Sequence, residues 1–226
     1  RSRGLGDVYK RQECSNVTVQ LTPGAVYKVS ELKIPGLDNI LFTSTEANEN
    51  NRPQLIVTNK ISLASPIQSL SFEFVCLNGN GEASYMTDWK NSSYAQSISF
   101  TGCAIQNIKR TLVRISDGSG VFMTDITIDN CVISEVGTDG YGMINFGKNI
   151  DQLEKVSITN STLINIGDQL MDVKGGIGDV ILENCTFYNS MDAKKELPKV
   201  FRFDNAASTP PVSYTHLRAH ETEADL

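Results

Sequence analysis

A phrase of eleven residues that occurs four times constrains this chain more than any other feature. The copies are ISFTGCAIQNI, ITIDNCVISEV, VSITNSTLINI and VILENCTFYNS, which start at Ile98, Ile126, Val156 and Val180. Successive starts are 28, 30 and 24 residues apart. Repeats of this length are typical of solenoids, in which each repeat packs only on its two neighbours.

Each copy is predicted to form a strand, a corner and a second strand. The first and third residues of the phrase are large and apolar and their neighbours are mostly small or polar, which is the alternation of a β-strand. The fifth residue is the glycine or asparagine of a corner, because these residues adopt a left-handed backbone most easily: Gly102, Asn130, Asn160 and Asn184. The residue after the corner is predicted to lie in a column of small buried side chains: Cys103, Cys131, Ser161 and Cys185.

A third strand follows each copy after a loop of variable length. These strands are LVRIS, MINFG, LMDVK and VFRFD, which start at Leu112, Met143, Leu170 and Val200. Their flanking apolar pairs share an inward face, and their central residues share the outward face: Arg114, Asn145, Asp172 and Arg202. Three short strands per repeat without helical periodicity predict an all-β fold, a right-handed parallel β-helix whose coils stack about 4.8 Å apart. The less regular segment from Val17 to Leu77 is predicted to form earlier coils of the same solenoid.

The two ends of the chain are predicted to lie outside the β-helix. Residues 1–12 and 212–226 show no periodicity that joins the coils, and they resemble translated sequencing-adapter reads that flank fragments assembled from environmental DNA. The remaining segment, residues 13–211, is predicted to be one β-helix domain that is truncated at both ends. Both histidines, His216 and His220, fall in the second tail.

Charge and composition exclude several classes of partner. The formal net charge is −6, which argues against a nucleic-acid-binding surface. No apolar run is long enough to span a membrane as a helix. The five cysteines lack the paired spacing of a metal site, so no metal ligands are predicted. We expect a monomer.

The repeated phrase also carries a family resemblance. The pattern VxIxNCxIxNI, with a third strand between copies and LTPGAVY before them at Leu21–Tyr27, resembles the pectate-lyase-like right-handed β-helix superfamily. Within it, the chain is similar to β-helix domains of bacterial secreted or lipid-anchored proteins found with glycan-degradation systems. The resemblance implies an extracellular or bacterial cell-surface location and a polysaccharide partner, with an acidic plant-type polysaccharide favoured.

The resemblance also indicates which enzyme this protein would be, if it is one. The activity would be that of a polysaccharide lyase, by β-elimination on a uronate-containing glycan, with Ca²⁺ held by carboxylates on neighbouring coils. Asp172 is the only acidic residue at the centre of a repeated third strand, so no catalytic residues are assigned and no other cofactor is predicted. The alternative is a structural or adhesive β-helix without enzymatic activity, which presents other domains.

Two groups of residues are candidates for binding a polysaccharide. The first is the outward column of Arg114, Asn145, Asp172 and Arg202, which would line a shallow groove along the solenoid axis. The alternative is a solvated face in which Asp172 pairs with Arg202 on the next coil. The second group is Tyr85 and Trp89, whose rings would face outward beside Arg114 if SYMTDW is a third strand with Met86 inward. The alternative is that Trp89 covers a coil edge or fills a corner.

Overall fold

The computed structural model describes residues 15–44, 46–191, 200–204 and 212–220. In these ranges the chain is all-β, without a helix, and winds into a right-handed parallel solenoid of about six coils. The predicted fold class is therefore confirmed. No helix in the described part of the chain is long and apolar enough to cross a membrane.

Three parallel sheets run along the solenoid, with strands numbered in chain order. The first sheet contains β1 (Asn16–Gln20), β3 (Asn39–Thr43), β5 (Ile67–Glu73), β8 (Ala95–Thr101), β11 (Phe122–Asp129), β14 (Ile150–Thr159), the second half of β16 (Met171–Glu183) and β19 (Val212–Thr215). The second sheet contains β2 (Val26–Ile34), β4 (Gln54–Leu63), β6 (Cys76–Asn78), β9 (Ala104–Ile108), β12 (Val132–Val136), β15 (Thr162–Ile166), β17 (Thr186–Tyr188) and β20 (Arg218–His220). The third sheet contains β7 (Trp89–Lys90), β10 (Val113–Asp117), β13 (Ile144–Phe146), the first half of β16 and β18 (Phe201–Asp204).

The strand register places equivalent residues of the repeat directly above one another. In the first sheet, Ile128 pairs with Phe100 on one side and with Ile158 on the other. Ile158 pairs in turn with Leu182, and these inward side chains are at most 2% exposed. Earlier in the same column the rings of Phe42, Phe72 and Phe100 stack with centroids 5.2 and 5.5 Å apart. The interior is therefore built of columns that run along the solenoid axis.

The predicted corners are confirmed by the backbone. Positive φ angles occur at Gly102 (61°), Asn130 (52°), Asn160 (50°) and Asn184 (52°). A second set of left-handed corners was missed: Asn107 (59°), Glu135 (55°), Asn165 (53°) and Asn189 (46°). These residues occupy the tenth position of the phrase, which is asparagine in three of the four copies. That asparagine was the available signal for a bend after the second strand.

The column of small residues after the first corner is also confirmed. Cys103, Cys131, Ser161 and Cys185 are at most 2% exposed. The described cysteines of this column and Cys76 are free thiols, and burial raises the pKa of Cys76 to about 11. These cysteines therefore pack as small apolar side chains.

The structure corrects our expectation for the described part of the second tail. Val212–Thr215 pairs in parallel with Val180–Glu183, and Arg218–His220 pairs with Thr186–Tyr188. His216 takes the left-handed corner position, with φ of 53°. Tyr214 is 67% exposed, so this coil adds backbone hydrogen bonds but little apolar core. The adapter-like origin of both tails stays a prediction, and residues 1–12 lie outside the described residues.

Ile158→Asp tests the inward register. We expect the free energy of unfolding to fall by at least about 4 kcal/mol, because an apolar contact is lost and a charge is buried without a partner. Ser157→Asp, on the outward side of the same strand, should change it by no more than about 1 kcal/mol. Thermal unfolding followed by circular dichroism measures both, and equal melting temperatures for the two variants would contradict the register.

Gly102→Ala tests why this corner holds glycine where the next coils hold asparagine. A Cβ atom on Gly102 would lie 2.7 Å from the ring of Phe74, whereas one on Gly24, also at positive φ, would meet nothing within 4 Å. Gly102→Ala and Gly24→Ala both strain the backbone, but only Gly102→Ala adds a clash with the ring of Phe74. We therefore expect Gly102→Ala to lower the free energy of unfolding by about 1 kcal/mol or more beyond the loss in Gly24→Ala. Chemical denaturation measures the difference. In a Phe74→Ala background, the additional loss of stability in Gly102→Ala should vanish. If that additional loss persists, the ring is not its cause.

Candidate functional site

The four residues of the predicted outward column lie on adjacent strands of the third sheet. Arg114 pairs with Asn145, Asn145 with Asp172, and Asp172 with Arg202. The exposed fraction of Asn145 is only 6%, so it is the most buried residue of the column. The structure therefore brings all four residues together, as the repeat alignment predicted.

Polar contacts connect the last three residues of this column. Asn145 Nδ2 donates a hydrogen bond of 3.2 Å to Asp172 Oδ2. Arg202 Nε lies 3.8 Å from Asp172 Oδ1, which is an ionic contact but too long for a hydrogen bond. Arg202 Nη2 lies 2.8 Å from Asp204 Oδ2, and this hydrogen bond raises the pKa of Arg202. The predicted pairing of Asp172 with Arg202 therefore exists, but Asp204 holds the guanidinium more tightly.

Arg114 is less exposed than the sequence suggested. Its side chain is 22% exposed, and the centre of its guanidinium lies 4.1 Å from the centroid of the Tyr85 ring. Its Nε lies 3.7 Å from Asp88 Oδ1. This arrangement is a stacked cation–π contact with a loose ion pair at its edge. Tyr85 is thus beside Arg114 as predicted, although the arginine covers one face of its ring.

The orientation predicted for Trp89 is wrong. Trp89 is fully buried and pairs with Ile115, so its ring lies in the core and cannot form a surface platform. The physical reason is the register. The third strands begin with two consecutive buried residues, Met86 and Thr87 here and Leu112 and Val113 on the next coil. Asp88 therefore takes the outward position beside Arg114, and Trp89 takes the inward position beside Ile115.

Two residues that the sequence analysis missed complete the site. Arg110 lies between Tyr85 and Tyr141, with its guanidinium 5.7 and 4.8 Å from the two ring centroids. Its Nη1 donates a hydrogen bond of 2.9 Å to Tyr85 Oη, which raises the pKa of Arg110. Its Nε lies 3.8 Å from Asp139 Oδ2. Arg110 and Tyr141 each stand two residues before the start of a third strand, at Leu112 and Met143, so an alignment of the repeats on that strand would have brought them together.

We call this surface the third-sheet face. It consists of the outward column, the arginine–tyrosine cluster and the aspartates beside them: Arg114, Asn145, Asp172 and Arg202; Tyr85, Arg110 and Tyr141; Asp88, Asp139 and Asp204.

Buried polar atoms without a hydrogen-bond partner are concentrated at this face. In the described ranges they are Asp88 Oδ1, Arg110 Nε, Arg114 Nε and Asp172 Oδ1 at this face, and Trp89 Nε1, Thr111 Oγ1 and Ser44 Oγ elsewhere. Folded proteins leave few such atoms, because a buried polar atom without a partner destabilises the fold. Three arginine–aspartate pairs here stand at 3.7 to 3.8 Å, so a small shift would close them.

The carboxylate of Asp172 is perturbed by burial. Its side chain is 16% exposed, and burial raises its pKa, while Arg202 and Lys174 act in the opposite direction. Across the described residues no group of three or more His, Cys, Asp or Glu side chains converges as metal ligands would. The Ca²⁺ expected of a lyase stays a prediction.

Asp172→Asn tests this burial. A raised pKa means that the carboxyl favours the folded state below its ordinary pKa, and that this contribution is lost as the pH rises through the folded value. The amide variant avoids the buried charge and can still accept the hydrogen bond from Asn145. We therefore expect it to be at least as stable as the parent at about pH 7, with the advantage disappearing near about pH 3.

Melting temperatures at the two pH values measure this effect. Asp38→Asn removes an exposed carboxylate away from the third-sheet face and serves as the control for net charge. A clear loss of stability at neutral pH in Asp172→Asn alone would mean that the contact with Arg202 outweighs the burial of the carboxylate.

Comparison with known proteins adds one match. Residues 40–166 match the model of a family described as Domain of unknown function (DUF4957). The matched segment runs from β3 to the end of β15, so it includes Tyr85, Arg114 and Asn145 but stops short of Asp172 and Arg202. No curated protein and no solved structure shows a significant match.

Proposed function

Since the chain belongs to the DUF4957 family, whose function is unknown, we propose a function from the site itself: the protein binds polysaccharide through the third-sheet face. The proposal includes an extracellular or bacterial cell-surface location, where polysaccharides are met. We assign no catalytic residue, and a lyase activity would be additional to the binding proposed.

The observation that carries this proposal is the register-aligned column from Arg114 to Arg202. It places guanidinium, amide and carboxylate groups one coil apart, so donors and acceptors recur about every 4.8 Å along the axis. A linear polysaccharide also presents hydroxyl groups at regular intervals along its length. From the coil of Asp88 to that of Arg202 the face spans four coil steps, or about 19 Å, which gives room for several sugar residues.

The three arginine–aspartate pairs whose atoms lie 3.7 to 3.8 Å apart support the same proposal. A sugar hydroxyl both donates and accepts a hydrogen bond, so it can satisfy a guanidinium and a carboxylate at once. Arginine also offers two parallel donors, which suit neighbouring hydroxyls on one ring. The third-sheet face therefore carries the polar groups that recognition of a sugar chain requires.

A second candidate function is the non-enzymatic structural or adhesive scaffold. One observation favours it: Trp89 lies in the core and Tyr85 is covered on one face by Arg114, so neither ring is a free platform for a sugar. If the protein is a scaffold, the paired charges serve only to hydrate the outer surface of the third sheet. The two candidates differ in whether single changes in the column alter glycan binding.

Arg202→Ala distinguishes them. The Arg202 side chain is 48% exposed, so its removal should alter the free energy of unfolding by no more than about 1 kcal/mol. We expect affinity for the bound glycan to fall about tenfold, which corresponds to about 1.4 kcal/mol. A glycan array followed by isothermal titration calorimetry measures the loss.

The matched control is Lys28→Ala, which removes an exposed cation from the second sheet. It should leave affinity unchanged. Equal losses in the two variants would indicate general charge attraction, and the absence of glycan binding by the parent protein would favour the scaffold.

A further inference from the structure

We infer that the glycan bound by the third-sheet face is a neutral, hydroxyl-rich polysaccharide and not a polyuronate or a sulfated chain. This inference rests on the proposed function and specifies its ligand. It departs from the acidic polysaccharide that the sequence resemblance favours. The argument comes from the distribution of charge over the face.

Each arginine of the face has a carboxylate beside it. Arg114 Nε lies 3.7 Å from Asp88, and Arg110 Nε lies 3.8 Å from Asp139. Arg202 contacts two carboxylates, Asp172 at 3.8 Å and Asp204 at 2.8 Å.

The fourth cation of this surface, Lys174, pairs in register with Asp204 on the next coil. Its Nζ lies 3.5 Å from the carbonyl oxygen of Gly147. With Lys174 included, four cations face these four carboxylates, and the carboxylate of Asp168 also acts on Asp172 and Arg202, so the face has no excess of positive charge.

A polyanion would find no excess of positive charge on this surface. Its own charges would approach the four carboxylates as closely as the four cations, and the rest of the chain adds repulsion, since the formal net charge is −6. Sites for polyanions usually show the opposite pattern, with clustered cations that attract the ligand from a distance. Charge complementarity therefore disfavours uronate and sulfate chains here.

A neutral sugar chain fits the same groups without this conflict. Hydroxyl groups donate to carboxylates and accept from guanidinium groups, so alternating charges along the column provide both kinds of partner. Hydrogen bonds that involve one charged group are stronger than those between neutral groups. The alternation of Arg114, Asn145, Asp172 and Arg202 is thus a hydrogen-bonding surface for hydroxyls.

The salt dependence of binding by the full chain tests this inference. The neutral probes are soluble xylan, galactomannan and mixed-linkage β-glucan, and the anionic probes are polygalacturonate and chondroitin sulfate. We expect binding to at least one neutral probe, with an affinity that changes less than about twofold as NaCl rises from about 0.01 to about 1 M, because screening acts on charge–charge attraction. Tighter binding to an anionic probe, with an affinity that falls steeply with salt, would overturn the inference.

Removal of one carboxylate sharpens the test. Asp204→Asn makes the face more positive by one charge, so it should strengthen binding of a polyanion but leave unchanged or weaken binding of a neutral glycan. The control is Asp38→Asn, which makes the same change in net charge at an exposed position away from the face. Equal affinities of the parent and of Asp204→Asn for both anionic probes would show that the charge balance of the face does not exclude polyanions, and would overturn the inference.

The two proposals fail in different ways. Binding of an anionic probe that is lost in Arg202→Ala but not in Lys28→Ala would refute only the neutral ligand and leave polysaccharide binding at this face intact. Absence of binding to every probe, neutral and anionic, would overturn both.

Discussion

Parallel pairing between successive coils is the interaction on which the rest of this structure depends. Each strand donates and accepts backbone hydrogen bonds with the strand one repeat earlier and one repeat later, so a residue always lies above its own equivalent. Apolar residues then form continuous interior columns, such as the one from Phe42 through Phe100 to Leu182. Such a fold has no separate hydrophobic centre, and its stability comes from the contact of each coil with its neighbours.

The same register governs the outward side chains. Asparagine amides at the corners hydrogen-bond one another along the axis, as Asn184 does with Asn160 at 3.1 Å and Asn189 with Asn165 at 2.7 Å. On the third sheet the register brings together residues that differ in charge, and they form the column from Arg114 to Arg202. A polar surface with regular spacing is thus a direct consequence of coil stacking, and substitution at single positions can change its chemistry without changing the core.

Most of the fold was predictable from residues that repeat at a constant position. The inward pairs, the glycine and asparagine corners and the small column at Cys103 and Cys131 all follow from the alternation of a strand and from the backbone preferences of two residue types. Prediction failed where a segment was misaligned with the repeat or left out of it. Trp89 pairs with Ile115 and so takes the inward position after Asp88, and His216 completes a corner in a tail that was set apart from the coils.

The sequence by itself determined the solenoid, the three strands of each coil and the membership of the outward column, because these depend on local periodicity and on a repeat of nearly constant length. Only the tertiary structure decided what surrounds the column. Arg110, Tyr85 and Tyr141 come from three coils, just before their third strands, and the contacts of the guanidinium with both rings depend on side-chain conformations that the repeat pattern does not specify. The pairing of each arginine with its own aspartate was likewise undetermined by sequence spacing, because a charge interacts with whatever lies within a few ångströms in space.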